Sequence, residues 1–135
     1  MMLALMLVAG TATALTCDRE AADQGVQRAM NICAALEYAA ADDELNAQWK
    51  RTRAVMKRRD ADRLEYQPEG DGRPGYMKTL LEAQRAWLQY RDAHCRAEGF
   101  NARGGSLEPL LVSTCKTALT QRRTQELKAF AESPE

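Results

Sequence analysis

Hydrophobic residues recur mostly every three or four positions along this chain, which is the spacing of one face of an α-helix. The first such stretch starts at Val26 and runs to about Tyr66, with no proline or glycine before Pro68. It predicts one long helix that ends before that proline, because a residue preceding proline disfavours the helical conformation. The pattern leaves open whether Asp42 and Asp43 bend or restart this helix.

Two further helices are predicted in the second half of the chain. The first spans about residues 75–98 and has the most regular apolar stripe. The positions of this stripe are Met77, Leu80, Leu81, Gln84, Trp87, Leu88, Arg91 and Cys95. The second helix begins after Ser106, a predicted N-cap, with Pro109 in its first turn, where a missing amide hydrogen costs nothing. It ends before Ser133.

Loops rich in glycine separate these helices. Residues 68–75 hold three glycines and two prolines, and residues 99–105 hold three more glycines. No segment alternates apolar and polar residues as a half-buried strand would. The pattern therefore predicts an all-α fold, a small antiparallel bundle or hairpin of three main helices.

The composition fits one globular domain. The chain has 135 residues, of which 45% are hydrophobic and 28% charged, and a single core serves about 100–200 residues. Its 19 basic and 19 acidic residues cancel, which argues against a nucleic acid as partner, since such partners select a positive surface. The densest basic run, within Lys50–Arg63, is interpreted as a solvated helix face, with contact to an anionic surface as the alternative.

The segment Met1–Thr16 has no charged side chain and consists of an apolar run followed by small residues. We interpret it as a signal peptide cleaved at about residues 14–16, because the apolar run is too short to span a bilayer. The mature, exported domain then comprises residues 17–135. A buried N-terminal helix and a lipoprotein anchored through Cys17 are the alternatives.

Export changes the interpretation of the four cysteines, Cys17, Cys33, Cys95 and Cys115. Their spacing contains no C-x-x-C pair of the kind that binds zinc, so no metal is expected and disulfides are favoured. Of the three connectivities we choose Cys17 with Cys33 and Cys95 with Cys115, because each closes a short loop. An antiparallel hairpin of the second and third helices would also bring the latter pair together. Four reduced thiols in a cytosolic protein are the alternative.

The sequence contains no arrangement typical of catalysis. Its one histidine, His94, is adjacent to Cys95, and neighbouring helical residues point about 100° apart, so the two cannot hydrogen-bond directly. The acidic pairs at 42–43 and 60–62 are interpreted as solvated turns, because nothing apolar surrounds them. The sequence thus predicts a protein that is not an enzyme and that needs no cofactor.

One stripe of the second predicted helix combines polar and aromatic side chains. Gln84, Trp87 and Arg91 lie on it, and the four-residue spacing of the last two allows a guanidinium to stack on the indole. The fork of the same guanidinium would then meet an acidic side chain from the long helix. We interpret this arrangement as internal bracing, with a ligand site as the alternative.

Short motifs are spread over nearly all of residues 17–135. The most specific are Gln-Arg-Ala-Trp-Leu at 84–88 and Tyr-Arg-Asp-Ala at 90–93. The motif positions are Asn31, Tyr38, Asp42, Leu45, Asn46, Gln84, Arg85, Trp87, Tyr90, Arg91, Asp92 and Arg123. Together they resemble the lysozyme inhibitor LprI-like family of exported bacterial proteins. The resemblance implies a small, helical, disulfide-bonded periplasmic or secreted domain that binds a protein, with a lysozyme or another envelope protein as partner.

Inhibition would require an element that enters the lysozyme cleft, where two carboxylates lie along a groove. The segment Arg103–Ser106, with Gly104 and Gly105, offers a cation, backbone donors and a helix N-terminus. The preceding glycine-rich loop offers Arg73. The alternatives are that these loops are plain turns, and that the protein serves envelope assembly or immunity to a toxin. The sequence does not predict the oligomeric state.

Overall fold

The computed structural model describes residues 14–134, which form four α-helices, one 3-10 turn and no strand. The elements are α1 (Arg19–Asp23), α2 (Gln27–Tyr66), α3 (Tyr76–Gly99), the 3-10 turn (Phe100–Ala102) and α4 (Glu108–Glu132). The prediction of an all-α fold is confirmed. The three main helices lie close to their predicted bounds.

Most of the predicted signal peptide lies outside the described residues. Of its sixteen positions only 14–16 are described, and they are exposed and without regular structure. Among the helices of residues 14–134, none combines the length and the apolar character needed to cross a bilayer.

Helix α2 is one continuous helix of 40 residues, about 60 Å long at 1.5 Å per residue. Asp42 and Asp43 lie within it and do not interrupt its assignment. Helix α1 was not predicted. Its N-cap is Asp18, whose carboxylate accepts a hydrogen bond from the Ala21 amide at 3.0 Å, and it is followed by Gly25 at a positive φ of 82°. Five residues are too few to show a helical period, which is why the pattern missed this helix.

Both predicted disulfides are present. Cys17 is bonded to Cys33 and ties the segment before α1 to α2, with Cα atoms 4.7 Å apart. Cys95 is bonded to Cys115 and ties α3 to α4, with Cα atoms 5.4 Å apart. None of the cysteines is free. The choice of connectivity by loop length is therefore confirmed.

The start of α4 differs from the prediction. The N-cap is Leu107 and not Ser106, and no side chain caps the helix there, although Pro109 does lie in the first turn. Ser106 instead offers its carbonyl oxygen to Nδ2 of Asn31 at 2.9 Å. The contact joins this loop to the first turns of α2, which a reading of local sequence cannot reveal.

Helices α2 and α4 run parallel over nearly the whole length of α4. The Thr52 hydroxyl donates to the carbonyl of Leu127 at 2.9 Å, 75 residues away, and Arg59 donates to the carbonyl of Ser133 at 2.5 Å, 74 residues away. The bond to the Ser106 carbonyl spans the same 75 residues. This constant offset shows that one register is kept from end to end. Helix α3 is antiparallel to both and completes the bundle.

The fold is centred on a small apolar core. Leu45, Met56, Leu80 and Leu127 are buried there, with Trp49, Val55, Met77 and Trp87 packed against them in part. Thr52 and Thr120 are fully buried as well. The three helices thus meet around few large side chains, and the disulfides and polar contacts carry a correspondingly larger share of the stability.

Asp60 closes the N-terminus of α3. Its carboxylate accepts hydrogen bonds from the amides of Tyr76 at 2.6 Å and Met77 at 2.9 Å. A Cβ at Gly75 would overlap this carboxylate, so glycine is required for the approach. The interpretation of both acidic pairs, at 42–43 and 60–62, as solvated turns is therefore wrong, because all four residues lie within α2, although one member of each pair is exposed. The cap comes from another helix, satisfying amides that have no partner within α3.

We expect reduction of the disulfides to lower the melting temperature markedly. They link residues 16 and 20 positions apart, and chain-entropy estimates give about 3 kcal/mol for loops of this size. Thermal unfolding followed by circular dichroism, with and without reductant, measures the effect. In the Cys95→Ser/Cys115→Ser variant, reductant should lower the melting temperature only by the contribution of the remaining disulfide, Cys17–Cys33. An unchanged melting temperature in reductant would contradict the stabilising role of both.

We expect Asp60→Ala to reduce the free energy of unfolding by about 1–2 kcal/mol, the usual cost of removing a helix N-cap. Asp62→Ala is the matched control, because it removes the same charge two residues away from an exposed position. Urea unfolding of both variants provides the comparison. Equal losses in the two variants would show that the charge of α2, and not the cap on α3, is responsible.

Candidate functional site

A buried guanidinium lies where the three main helices meet. Arg91 of α3 has only 7% of its side chain exposed. Its Cζ atom is 5.2 Å from the centre of the Trp87 ring and 5.4 Å from the centre of the Tyr38 ring. These distances are typical of cation–π contacts. The predicted stacking of Arg91 on Trp87 is confirmed, and Tyr38 of α2 adds a second ring.

Two carboxylates and a hydroxyl surround the same guanidinium. Nη1 of Arg91 is 3.1 Å from Oδ1 of Asp42 on α2 and 3.5 Å from the hydroxyl of Thr120 on α4. Its Nε donates to Oδ1 of the neighbouring Asp92 at 3.0 Å. The acidic partner expected from the long helix is therefore present and is Asp42. The Arg91 cluster, as we call Tyr38, Asp42, Trp87, Arg91, Asp92 and Thr120, joins all three helices.

The electrostatics of the cluster favour the ion-paired state. Burial alone would lower the pKa of Arg91, but its hydrogen bond to Asp92 and the neighbouring charges outweigh burial and raise it. Burial would likewise raise the pKa of Asp92, but Arg91 and Lys116, whose Nζ is 3.3 Å away, outweigh burial and lower it. Burial raises the pKa of Tyr38, which Arg91 only partly offsets. At neutral pH both partners of the pair are charged, and neither is poised to exchange a proton.

A second polar contact lies two turns of α3 before Arg91. Oε1 of the buried Gln84 accepts a hydrogen bond from Nε of Arg123 on α4 at 3.0 Å, and Nη1 of Arg123 pairs with Glu126 at 3.0 Å. The Cζ atom of Arg123 is 5.9 Å from the Trp87 ring. Trp87 is therefore contacted by two guanidiniums, one from α3 and one from α4. This arrangement braces the bundle.

The remaining motif residues have separate places. Leu45 belongs to the core, and Nδ2 of Asn46 donates to Asp42 at 3.3 Å. Arg85 is exposed. Tyr90 is 54% exposed and stacks on His94, with ring centres 5.2 Å apart. Most motif positions thus support the packing, while Arg85 and Tyr90 face solvent.

A group of metal-ligand types near His94 does not form a metal site. Ligand atoms of His94, Glu98 and Cys115 lie within 4.8 Å of one another, and Nε2 of His94 is 3.0 Å from Oε1 of Glu98. The sulfur of Cys115 is bonded to Cys95 and is therefore not a thiolate ligand. Only two ligands remain, fewer than a structural or catalytic zinc site uses.

The loop between α3 and α4 presents one cation. Arg103 is exposed, and its Cζ lies 4.5 Å from the centre of the Phe100 ring. Within residues 14–134, Arg103 forms no ion pair with a carboxylate. Phe100 was not singled out in the sequence, although its three-residue spacing from Arg103 indicates a shared helical face. The sequence pattern alone therefore identified the cation and not the ring that supports it.

Two backbone donors of this loop are already in use. The amide of Gly104 donates to Oε2 of Glu108 at 2.7 Å, and the amide of Gly105 donates to the carbonyl of Ala102 at 2.9 Å. Gly104 has a positive φ of 77°, which favours glycine at that position. The loop is a closed turn that holds the backbone of Arg103, so the guanidinium is its principal group for binding a partner.

Arg73, in the loop between α2 and α3, is paired with a carboxylate, unlike Arg103. Its side chain and its amide both donate to Asp71, at 2.6 and 2.9 Å. These hydrogen bonds lower the pKa of Asp71 to about 2 and raise that of Arg73. Although 83% of the Arg73 side chain is exposed, its charge is matched locally. It is therefore a weaker candidate for contact with an acidic partner than Arg103.

The two loops lie at opposite ends of α3. That helix has 24 residues and so separates its ends by about 36 Å. Arg73 precedes its first residue and Arg103 follows its last turn. The two cations that the sequence suggested as partner contacts are therefore too far apart to meet the same carboxylate.

We expect Arg91→Ala to lower the free energy of unfolding by about 2–3 kcal/mol. The cost is below that of breaking a fully buried pair, because 37% of the Asp42 side chain and 47% of the Asp92 side chain are exposed. Urea unfolding at neutral pH measures it. Arg91→Lys should recover only part of the loss, since an ammonium keeps the charge but not the planar fork. Full recovery by lysine would contradict the role of the fork.

The substitution Arg91→Ala should also change how the free energy of unfolding depends on pH in acid. The folded-state pKa of Asp92 is lowered, so its contribution is complete above the unfolded-state pKa of about 4 and is lost as the pH falls through the folded-state value. Arg91→Ala removes the largest favourable partner of Asp92 and should flatten the pH dependence below about 4. An unchanged acid limb would show that other carboxylates produce it.

Known proteins match this chain over most of its length. The family model for lysozyme inhibitor LprI matches residues 17–127. An uncharacterized protein of Rhizobium meliloti (strain 1021) is 45% identical over 109 residues, which cover 81% of this chain and 76% of that protein. No solved structure matches the chain significantly. The range matched by the family model includes both disulfides and the whole Arg91 cluster. Because that range covers most of the chain, the chain belongs to the lysozyme inhibitor LprI family.

Proposed function

We propose that this protein is an exported binding protein that inhibits a lysozyme by placing Arg103 in the lysozyme cleft. The family supports a lysozyme-inhibitor-like module. Two disulfides and no free cysteine support a compartment that is oxidising, such as the periplasm or the cell exterior. The uncharged segment Met1–Thr16 supports export by a signal peptide.

The unpaired charge of Arg103 carries the proposal for the contact. A lysozyme cleft holds two carboxylates, and a guanidinium recognises a carboxylate by two parallel hydrogen bonds. Arg103 offers such a guanidinium in the loop between α3 and α4, where it lies against the Phe100 ring. Arg73 offers the same chemistry only at the expense of its bonds to Asp71. Binding through Arg103 therefore disrupts less of the free protein.

The hairpin that carries Arg103 is held before binding. The disulfide Cys95–Cys115 joins α3 and α4 just behind the loop, and the bond from Asn31 to the Ser106 carbonyl fixes the loop to α2. A Cβ at Gly99 would overlap Val112, so the two helices approach closely there. A held loop loses little conformational entropy on binding, which favours affinity.

Inhibition would follow from occupation and from charge. A guanidinium beside the two catalytic carboxylates blocks the place of the scissile sugar bond, and it also favours the ionised form of the carboxyl that must act as an acid. The protein itself transfers no group in this mechanism. Its described residues supply a rigid support and one cation.

We expect Arg103→Ala to weaken lysozyme inhibition by at least about tenfold, since truncation of a central arginine at an interface typically costs 2 kcal/mol or more. Arg73→Ala is the matched control, and inhibition should change by less than about twofold, because Arg73 lies at the far end of α3. Clearing of a bacterial cell-wall suspension by several lysozymes, with oxidised protein at micromolar concentration, gives the inhibition constants.

Two outcomes would contradict parts of the proposal. If Arg73→Ala weakens inhibition as much as Arg103→Ala, the contact is not the loop between α3 and α4. If the unsubstituted protein slows none of the lysozymes tested, this chain has another partner. A pull-down from envelope extract would then distinguish an assembly protein from an immunity protein for a toxin.

A further inference from the structure

A cleft opens at the end of the bundle opposite to Arg103. It lies between the last turns of α2, the start of α3 and the end of α4, and its volume is about 770 Å³. Pro74, Tyr76, Leu80 and Phe130 supply apolar surface to its walls. The volume is within the range of small-molecule sites, which is roughly 300–1,000 Å³. Neither the family resemblance nor the lysozyme contact uses this cleft.

The rim of the cleft is cationic. Three guanidiniums line it, those of Arg63, Arg73 and Arg123, against the single carboxylate of Asp71. Arg73 is bonded to Asp71, and Arg123 pairs with Glu126 outside the cleft. Among the described residues, the one carboxylate near Arg63 is therefore that of Asp71, which Arg63 shares with Arg73.

Arg63 is incompletely bonded. Its Nη1 has one long contact of 3.4 Å to Asp71, which Arg73 already occupies. Its Nε is buried and has no acceptor among the described residues 14–134. A buried donor without an acceptor is costly, while 29% of the Arg63 side chain remains exposed. Because Nε itself is buried, a molecule in the cleft would bond to the exposed part of this side chain.

We propose that this cleft binds a fatty-acid carboxylate, with its head group at Arg63 and its alkyl chain along Leu80 and Phe130. The guanidinium fork of Arg63 matches the two oxygens of one carboxylate. The apolar walls match an alkyl chain, whose burial contributes about 0.8 kcal/mol for each methylene group. The site is independent of the lysozyme contact, because it lies at the other end of α3.

The test is a titration of the full-length, isotope-labelled, oxidised protein with decanoate, followed by NMR. We expect saturable binding, with the Nε–H signal of Arg63 shifting more than that of any other arginine. Decanol tests the chain without the charge, acetate tests the charge without the chain, and decyl phosphate tests the other head group. Each of these three ligands should bind at least about tenfold more weakly than decanoate.

Two variants locate the site. Arg63→Gln should weaken decanoate binding about tenfold or more, which corresponds to the loss of a hydrogen bond to a charged group. Arg58→Gln is the matched control, because it removes the same charge from an exposed position of α2 outside the cleft, and it should leave binding unchanged. Ala83→Leu retains Arg63 and fills the cleft wall, so it should also weaken binding and serves if Arg63→Gln does not fold.

Several results would overturn the proposal. If decanol binds as tightly as decanoate, the head group plays no part, and if acetate does so, the alkyl chain plays no part. Tighter binding of decyl phosphate would show that the choice of a carboxylate is wrong. Equal weakening by Arg58→Gln would show unspecific attraction to the basic helix. Because no lysozyme enters these measurements, their failure would leave the proposed inhibition untouched, and the reverse also holds.

Discussion

The buried charge of Arg91 constrains how the three main helices meet. A guanidinium inside a protein is tolerated only when its donors and its π faces find partners. Here those partners come from α2, through Tyr38 and Asp42, from α3 itself, through Trp87, and from α4, through Thr120. A shift of any one helix along its axis would separate at least one of them. The cluster therefore fixes the register of the bundle, which an apolar core of few large side chains specifies less sharply.

The ends of the helices are satisfied by side chains from neighbouring helices. Arg59 of α2 donates to carbonyls at the end of α4, including that of Ser133. The next residue, Asp60, accepts from amides at the start of α3. Successive residues of a helix point about 100° apart, so this pair serves two different helices from one turn. Both charges also oppose the dipole of the helix end that they meet, which is favourable. Two consecutive residues of α2 thus bind both of its neighbours, the parallel helix α4 and the antiparallel helix α3.

The sequence predicted those features that depend on local periodicity and on chain length. The three main helices, both disulfides and the stacking of Arg91 on Trp87 follow from spacing alone. The N-cap at Ser106 was wrong because Asn31, 75 residues away, takes its carbonyl and the helix starts one residue later. The cap by Asp60 and the cleft at Arg63 were not predicted, since each is assembled from segments that are distant in sequence. The predicted contact residues Arg73 and Arg103 differ for a local reason, because Arg73 pairs with Asp71 only two residues away, and a closer reading of that loop could have shown it.

The parallel pairing of α2 with α4 has a practical consequence for presenting the molecule on a surface. Because Ser133 is held against Arg59, the described end of the chain lies beside the cleft, about the length of α3 away from Arg103. A tether attached at Ser133 would therefore orient the bundle with its Arg103 tip toward solution. Sensor chips or beads loaded in this way would leave the loop accessible to a large soluble enzyme, while the cleft would face the support.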